Sequence, residues 1–170
     1  MTIRKILTEP NKLLRQISEN VKKVGEYEKK LMDDMLDTMY EAPGIGLAAV
    51  QIGVPKRIIV MDISRDENNK EPRYFVNPVI KNKNKEKSIY EEGCLSVPDQ
   101  FAEIERPNSC EVEYLDYDGK KQILKAEGLL ATCIQHEMDH LEGILFIDYL
   151  SKLKKSIIIK KLSKINREVF

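Results

Sequence analysis

The stretch Leu129-Leu130-Ala131-Thr132-Cys133-Ile134-Gln135-His136-Glu137-Met138-Asp139-His140-Leu141 decides how the rest of the chain is read. It is largely apolar, free of Gly and Pro, and followed by Gly143 in the manner of a helix C-cap, so it reads as a buried helix. His136 and His140 are the only histidines among 170 residues. On a helix, residues four apart share one face with Cβ atoms about 5–6 Å apart, so both imidazoles can meet one ion while Glu137 lies beside it. An H-E-x-x-H run of this kind suits metal-assisted hydrolysis, in which the ion acts as a Lewis acid and the carboxylate takes and returns a proton. Chance placement of two histidines is the alternative, and it rarely also puts Glu directly after the first.

Working outward, Lys152 to Val169 has apolar positions at Leu153, Ile157, Leu162 and Ile165 and reads as a C-terminal helix. Upstream, Cys110, Val112 and Tyr114 alternate with polar neighbours, and Asp118-Gly119 turns the chain into Lys121–Lys125, which predicts a hairpin. Arg57–Ile63 and Arg73–Ile80 read as strands, separated by a solvated loop over Ser64–Pro72, and the basic run Lys81–Lys87 reads as a solvated turn. Glu26–Glu41 places Leu31, Met35 and Met39 on one stripe and charges opposite, an amphipathic helix that stops at Pro43. These elements lack βαβ alternation. The expected fold is α+β, with mixed or antiparallel strands around a central metal-binding helix, an N-terminal helical region and a C-terminal helix, in one catalytic domain over residues 1–170.

Composition excludes several functional classes. The formal net charge is zero, so no overall field steers the chain to nucleic acid or an acidic membrane. No apolar run approaches the length of a membrane span, and the N-terminus lacks a signal-peptide core. Three cysteines, Cys94, Cys110 and Cys133, do not make a disulfide framework. A cytoplasmic location is expected. Gly44-Ile45-Gly46 lacks the G-x-x-x-x-G-K-[ST] pattern and a preceding strand, so it is not a nucleotide loop.

A catalytic ion generally needs a third protein ligand. The thermolysin-like pattern requires a downstream Glu, yet Ser151–Ile165 contains no carboxylate; the metzincin pattern fails because Phe146 stands where a third His is required. Cys133 lies on the same helix, but seven residues from His140 is a rise of about 10.5 Å, too far for one ion. Cys110 belongs to an alternating strand and reads as a small buried hydrophobe. Cys94 follows Gly93 in an irregular stretch where a side chain can be aimed. Either a ligand or a buried structural thiol fits it.

Three segments together resemble the peptide deformylase family: Gly44-Ile45-Gly46-Leu47-Ala48-Ala49-Val50-Gln51, Glu92-Gly93-Cys94-Leu95-Ser96, and Gln135-His136-Glu137-Met138-Asp139-His140-Leu141. The resemblance implies removal of the formyl group from N-formyl-methionyl peptides and nascent chains, releasing formate. It implies a metal held by Cys94, His136 and His140, with Glu137 as general base. Oxyanion stabilisation would fall to the Gln51 amide and the Leu95 N–H. Ile45, Gly46, Glu92 and Gly93 are similar to positions lining the substrate cleft, and Leu129 and Cys133, with Ile45, to those around the methionine pocket. The implied ion is Fe2+, replaceable by Zn2+, Ni2+ or Co2+, although a Cys/His/His set by softness alone suits zinc. Phe101 and Tyr90 depart from the residues common in the family and concern the shape of the groove.

Two rivals follow from the same residues: an endopeptidase that ignores formyl groups, and a module with a closed structural zinc, which would need a fourth ligand from Cys110 or Cys133. The C-terminal helix carries Lys152, Lys154, Lys155, Lys160, Lys161, Lys164 and Arg167, a face suited to ribosomal RNA through counterion release or simply to solvent. No membrane partner is expected, and the chain is expected to be a monomer.

Overall fold

In the computed structural model, which describes residues 2–168, the chain forms α1 (Glu26–Glu41), β1 (Gly46–Ala48), β2 (Ile58–Met61), β3 (Arg73–Lys83), β4 (Lys87–Cys94), β5 (Val97–Pro107), β6 (Ser109–Leu115), β7 (Lys121–Glu127), α2 (Gly128–Leu141) and α3 (Lys152–Glu168). Short 3-10 turns occur at Lys12–Arg15, Ala49–Ile52 and Phe146–Tyr149. Strands β1-β2-β3-β6-β7 make one antiparallel sheet in that order, and β4–β5 a second, two-stranded one. The fold is α+β. Val169, the expected end of α3, lies outside the described residues.

The five-stranded sheet has helices on both sides, and the residues of β2 show why. Ile58 and Val60 face Leu31, Met32, Met35 and Met39 of α1, while Ile59 and Met61 face Ala131, Cys133, Ile134 and Leu141 of α2. A strand covered on both faces reads as an unbroken apolar run, as Ile58-Ile59-Val60-Met61 does. Each of these α1 methionines is fully buried, stabilising the fold by about 1.5–3 kcal/mol apiece. The Glu28 side chain accepts from the Gly25 N–H at the start of α1, and the Gly44 N–H reaches back to the Met39 carbonyl at its end. A third cluster docks α3 on the hairpin, with Ile158 and Leu162 against Val97, Ile104 and Phe146.

Two expectations are corrected. Cys94 does not lie in an irregular stretch: Lys87–Cys94 pairs with Val97–Pro107, turning through Leu95-Ser96, with a register shift between Gly93 and Cys94. The hairpin was hidden because its inner face carries Glu92 and Arg106 as well as Ile104, while Glu91, Glu103 and Glu105 are exposed on the other, so no apolar alternation marks it. Nor is Lys81–Lys87 simply a turn; β3 continues to Lys83 and β4 begins at Lys87.

Candidate metal centre

Helix α2 starts directly after β7, so the sheet edge sets where its histidines point. It ends where Gly143 adopts a left-handed conformation (φ 72°), which glycine accepts without strain. Its buried residues run unbroken from Ala131 to Glu137 and resume at His140. The two imidazole centroids are 5.2 Å apart.

Cys94, at the end of β4, comes to this face from another sheet. Its Sγ lies 3.3 Å from His140 Nε2, and ligand atoms of Cys94, His136 and His140 all fall within 4.8 Å of one another. Bonds of about 2.3 Å to sulfur and 2.0–2.1 Å to nitrogen in a tetrahedron put ligand atoms about 3.4–3.6 Å apart, so this set fits one ion. Cys110 and Cys133 are not in it: Cys110 is buried in β6, and the Cys133 thiol faces the Ile45 carbonyl at 4.0 Å, its pKa pushed up by burial. Among the described residues no fourth Cys, His or carboxylate joins the three.

A buried ion-pair network holds His136. Its Nδ1 is 2.8 Å from Glu92 Oε1, and Arg106 clasps that carboxylate through Nε at 2.7 Å and Nη2 at 3.0 Å. With Nδ1–H donating to the Glu92 carboxylate, Nε2 keeps its lone pair for an ion. Burial opposes the charge on Glu92, but His136 and Arg106 hold its carboxyl below the usual range. Burial likewise opposes a charged His136, yet Cys94 and Glu92 raise its pKa, whereas burial and the neighbouring His136 lower that of His140.

Glu137 is buried and its pKa is pushed up to about 7, chiefly by desolvation. Among the described residues its Oε2 has no hydrogen-bond partner. Strand β1 passes against it so closely that a Cβ on Gly46 would lie 2.6 Å from Oε1; only glycine lets the strand approach in this way. Gln51 is oriented by both ends of its amide. Its Oε1 accepts from the Ala48 N–H at 2.9 Å, and its Nε2 faces Ser96 Oγ at 3.0 Å and Cys94 Sγ at 3.6 Å. The N-terminal segment ties these parts together, with the Leu7 N–H on the Gln51 carbonyl and the Glu9 N–H on the Ser96 carbonyl.

A cleft of about 590 Å³ opens onto Gln51, Cys94, Leu95, His136 and Glu137. Ile45, Gly46, Glu92, Gly93, Leu129 and Cys133 all line it, while His140 sits behind, fully buried. Glu92 presents its carboxylate to Arg106 and His136. Tyr90 and Phe101 lie on the same cleft, Phe101 two-thirds exposed at 66%. Sequence reasoning missed Arg106 and Ser96. The alternation Ala102-Ile104-Arg106 was the available signal for an inward-facing arginine; nothing local marks Ser96.

A family model described as polypeptide deformylase matches residues 3–156. A peptide deformylase of Pelagibacter ubique is 84% identical over 165 residues, covering 97% of this chain and 96% of that one. One from Phenylobacterium zucineum is 58% identical over 164 residues, covering 96% and 97%. A crystal structure of peptide deformylase from Ehrlichia chaffeensis superposes with a TM-score of 0.93 at 45% identity, covering 98% of each chain. A second, in complex with actinonin, gives 0.93 at 47%, covering 98% and 99%. No described helix is long and apolar enough to cross a membrane.

Proposed function

Because the chain belongs to the polypeptide deformylase family, we propose that its cleft binds the N-terminus of a formyl-methionyl peptide and that the residues around Cys94 carry the hydrolysis. The enzyme is a metal-dependent hydrolase whose family role is removal of the N-formyl group from nascent peptides. Cys94, His136 and His140 would hold one divalent ion, which supplies a Lewis acid for the carbonyl and for water. The observation that carries this assignment is the convergence of a thiol and two imidazoles within 4.8 Å from separate elements.

The chain's own groups account for the proton movements. Glu137 stands in the cleft with an unpartnered oxygen and a pKa near the working range, so it accepts a proton from water as the oxygen attacks the formyl carbon. The carbonyl oxygen becomes an oxyanion, which the Gln51 amide and the Leu95 N–H stabilise; the Ala48 and Ser96 contacts preset the Gln51 amide, which limits reorganisation during reaction. As the C–N bond breaks, Glu137 returns the proton to the leaving amine and formate departs. Ile45, Leu129 and Cys133 form an apolar pocket for the methionine side chain, and Gly46 and Gly93 offer backbone to the peptide.

The ion is proposed to be Fe2+, with Zn2+, Ni2+ or Co2+ able to replace it. The chain is proposed to act as a single-domain cytoplasmic monomer. Actinonin, bound in the related E. chaffeensis structure, is expected to compete for the cleft. A contact between α3 and ribosomal RNA is also proposed: Lys154, Lys160, Lys161 and Lys164 are exposed, while Ile158 and Leu162 anchor the helix. Reversing those lysines to Glu should weaken ribosome binding and its salt dependence; unaltered binding would remove the contact.

Anaerobic purification, elemental analysis and formate release from a formyl-Met peptide test the main reading. Glu137→Gln should keep its metal and lose about 10²–10⁴-fold in turnover, while Cys94→Ala should lose the metal. Full turnover in the first, or full metal content in the second, would refute the assignments.

A further inference from the structure

A chain of side chains runs from His136 to the protein surface and ends on a tyrosine that the hydrolysis does not use. His136 Nδ1 meets Glu92, Arg106 clasps Glu92 in two bonds, and Arg106 Nη1 donates to Asp139 Oδ2 at 2.9 Å. The Tyr149 hydroxyl donates to that same Asp139 oxygen at 2.7 Å. Its ring also covers the guanidinium, with Arg106 Cζ 4.9 Å from the ring centroid. Tyr149 therefore touches both members of the Arg106–Asp139 pair. It is 52% exposed while Arg106 is 5% exposed, so it stands between the pair and solvent. The 3-10 turn that carries it, Phe146–Tyr149, meets the same ligand from another side, since the Phe146 ring stacks on His136 at 6.2 Å and 26°.

We propose that Tyr149 is a positioning residue for the metal ligand His136, acting through Asp139, Arg106 and Glu92; the inference rests on the reading of Cys94, His136 and His140 as a metal site. Arg106 is shared between two carboxylates, and its grip on Glu92 depends on where Asp139 holds Nη1. Removing the hydroxyl takes away one of the two donors to Asp139 Oδ2 and lets water compete there, which weakens the charge-assisted bond from Arg106. Loosening then passes to Glu92, the partner of the His136 Nδ1 proton, and the imidazole samples orientations in which Nε2 no longer points at the ion. Outer partners of metal ligands contribute about 10–100-fold in affinity, and a group three contacts beyond such a partner should contribute less, about three- to tenfold.

The test uses the full chain loaded with Zn2+ and measures zinc release to a chelator in excess. Tyr149→Phe keeps the ring and should release zinc about three- to tenfold faster than the parent, while the thermal midpoint of the metal-free protein moves by no more than about one degree. Asp139→Asn should release zinc at least as fast, and adding Tyr149→Phe to it should change the rate little, because the hydroxyl would already have lost the anion through which it acts. Wild-type release from Tyr149→Phe, or an equal factor in both backgrounds, would overturn the proposal, the second by showing that Tyr149 acts through packing alone. A parent chain that binds no zinc, or a Cys94→Ala chain that binds it equally well, would instead overturn the metal-site reading, so the two failures are told apart.

Discussion

Replacing Gly46 with Ala should separate fold from catalysis. The added methyl would sit 2.6 Å from Glu137 Oε1, 3.0 Å from Cδ and 3.1 Å from Cγ. Ordinary van der Waals contact begins near 3.4 Å, so the carboxylate must swing away by most of an ångström. The displaced atoms are the end of a flexible side chain beside an open cleft, which puts the stability cost at the low end of overpacking, about 1 kcal/mol. The reduced freedom of the unfolded chain offsets about 0.4–1 kcal/mol of that. Catalysis has no such relief, because a base misplaced by about 1 Å can cost about 10²-fold, or about 2.7 kcal/mol in the barrier. Formate release from a formyl-Met peptide should show kcat down by that factor with KM little changed. Metal content and the urea midpoint should match the parent. A kcat within threefold of the parent would refute the placement of Glu137 as the base held against β1.

Glu92→Gln should leave Arg106 buried with only Asp139 for charge compensation, destabilising the protein by about 2–3 kcal/mol in urea unfolding and lowering zinc affinity about 10–100-fold in chelator competition; unchanged affinity would show that Glu92 does not orient His136. Asp34 supplies a pH test remote from the site. Burial opposes its charge, but Arg4, the Thr2 N–H and Lys30 hold its carboxyl below the usual range. A depressed folded pKa adds stability above the unfolded value, near 4, that is lost as pH falls through the folded value. The urea midpoint of Asp34→Asn should therefore trail the parent at pH 6 and converge with it below about pH 4; a gap that persists in acid would exclude the charge as its cause.

The local signals carried through to the structure where one element sufficed. The apolar stripe of α1, the alternation of β6 and the spacing of His136 and His140 each depend on a single backbone period, and each stands as read. The hairpin β4–β5 escaped because its buried face is half charged. Glu92 and Arg106 look like surface residues until they are seen to neutralise each other inside, where burial of either alone would be costly. Ser96 and Tyr149 escaped for a related reason, since their partners Gln51 and Asp139 lie on other elements.

By itself, then, the amino-acid order determined that two imidazoles share one helical face with a carboxylate on the adjoining one, because covalent geometry and a 3.6-residue turn place residues in this way. Only the tertiary structure decided that the sulfur of Cys94, 46 residues away, comes within 3.3 Å of His140 Nε2, that Glu92 and Arg106 lock His136, and that Gly46 brings β1 onto Glu137. Those distances are set by packing a hairpin and a sheet against α2, which depends on the fit of many side chains at once and on no single spacing along the chain.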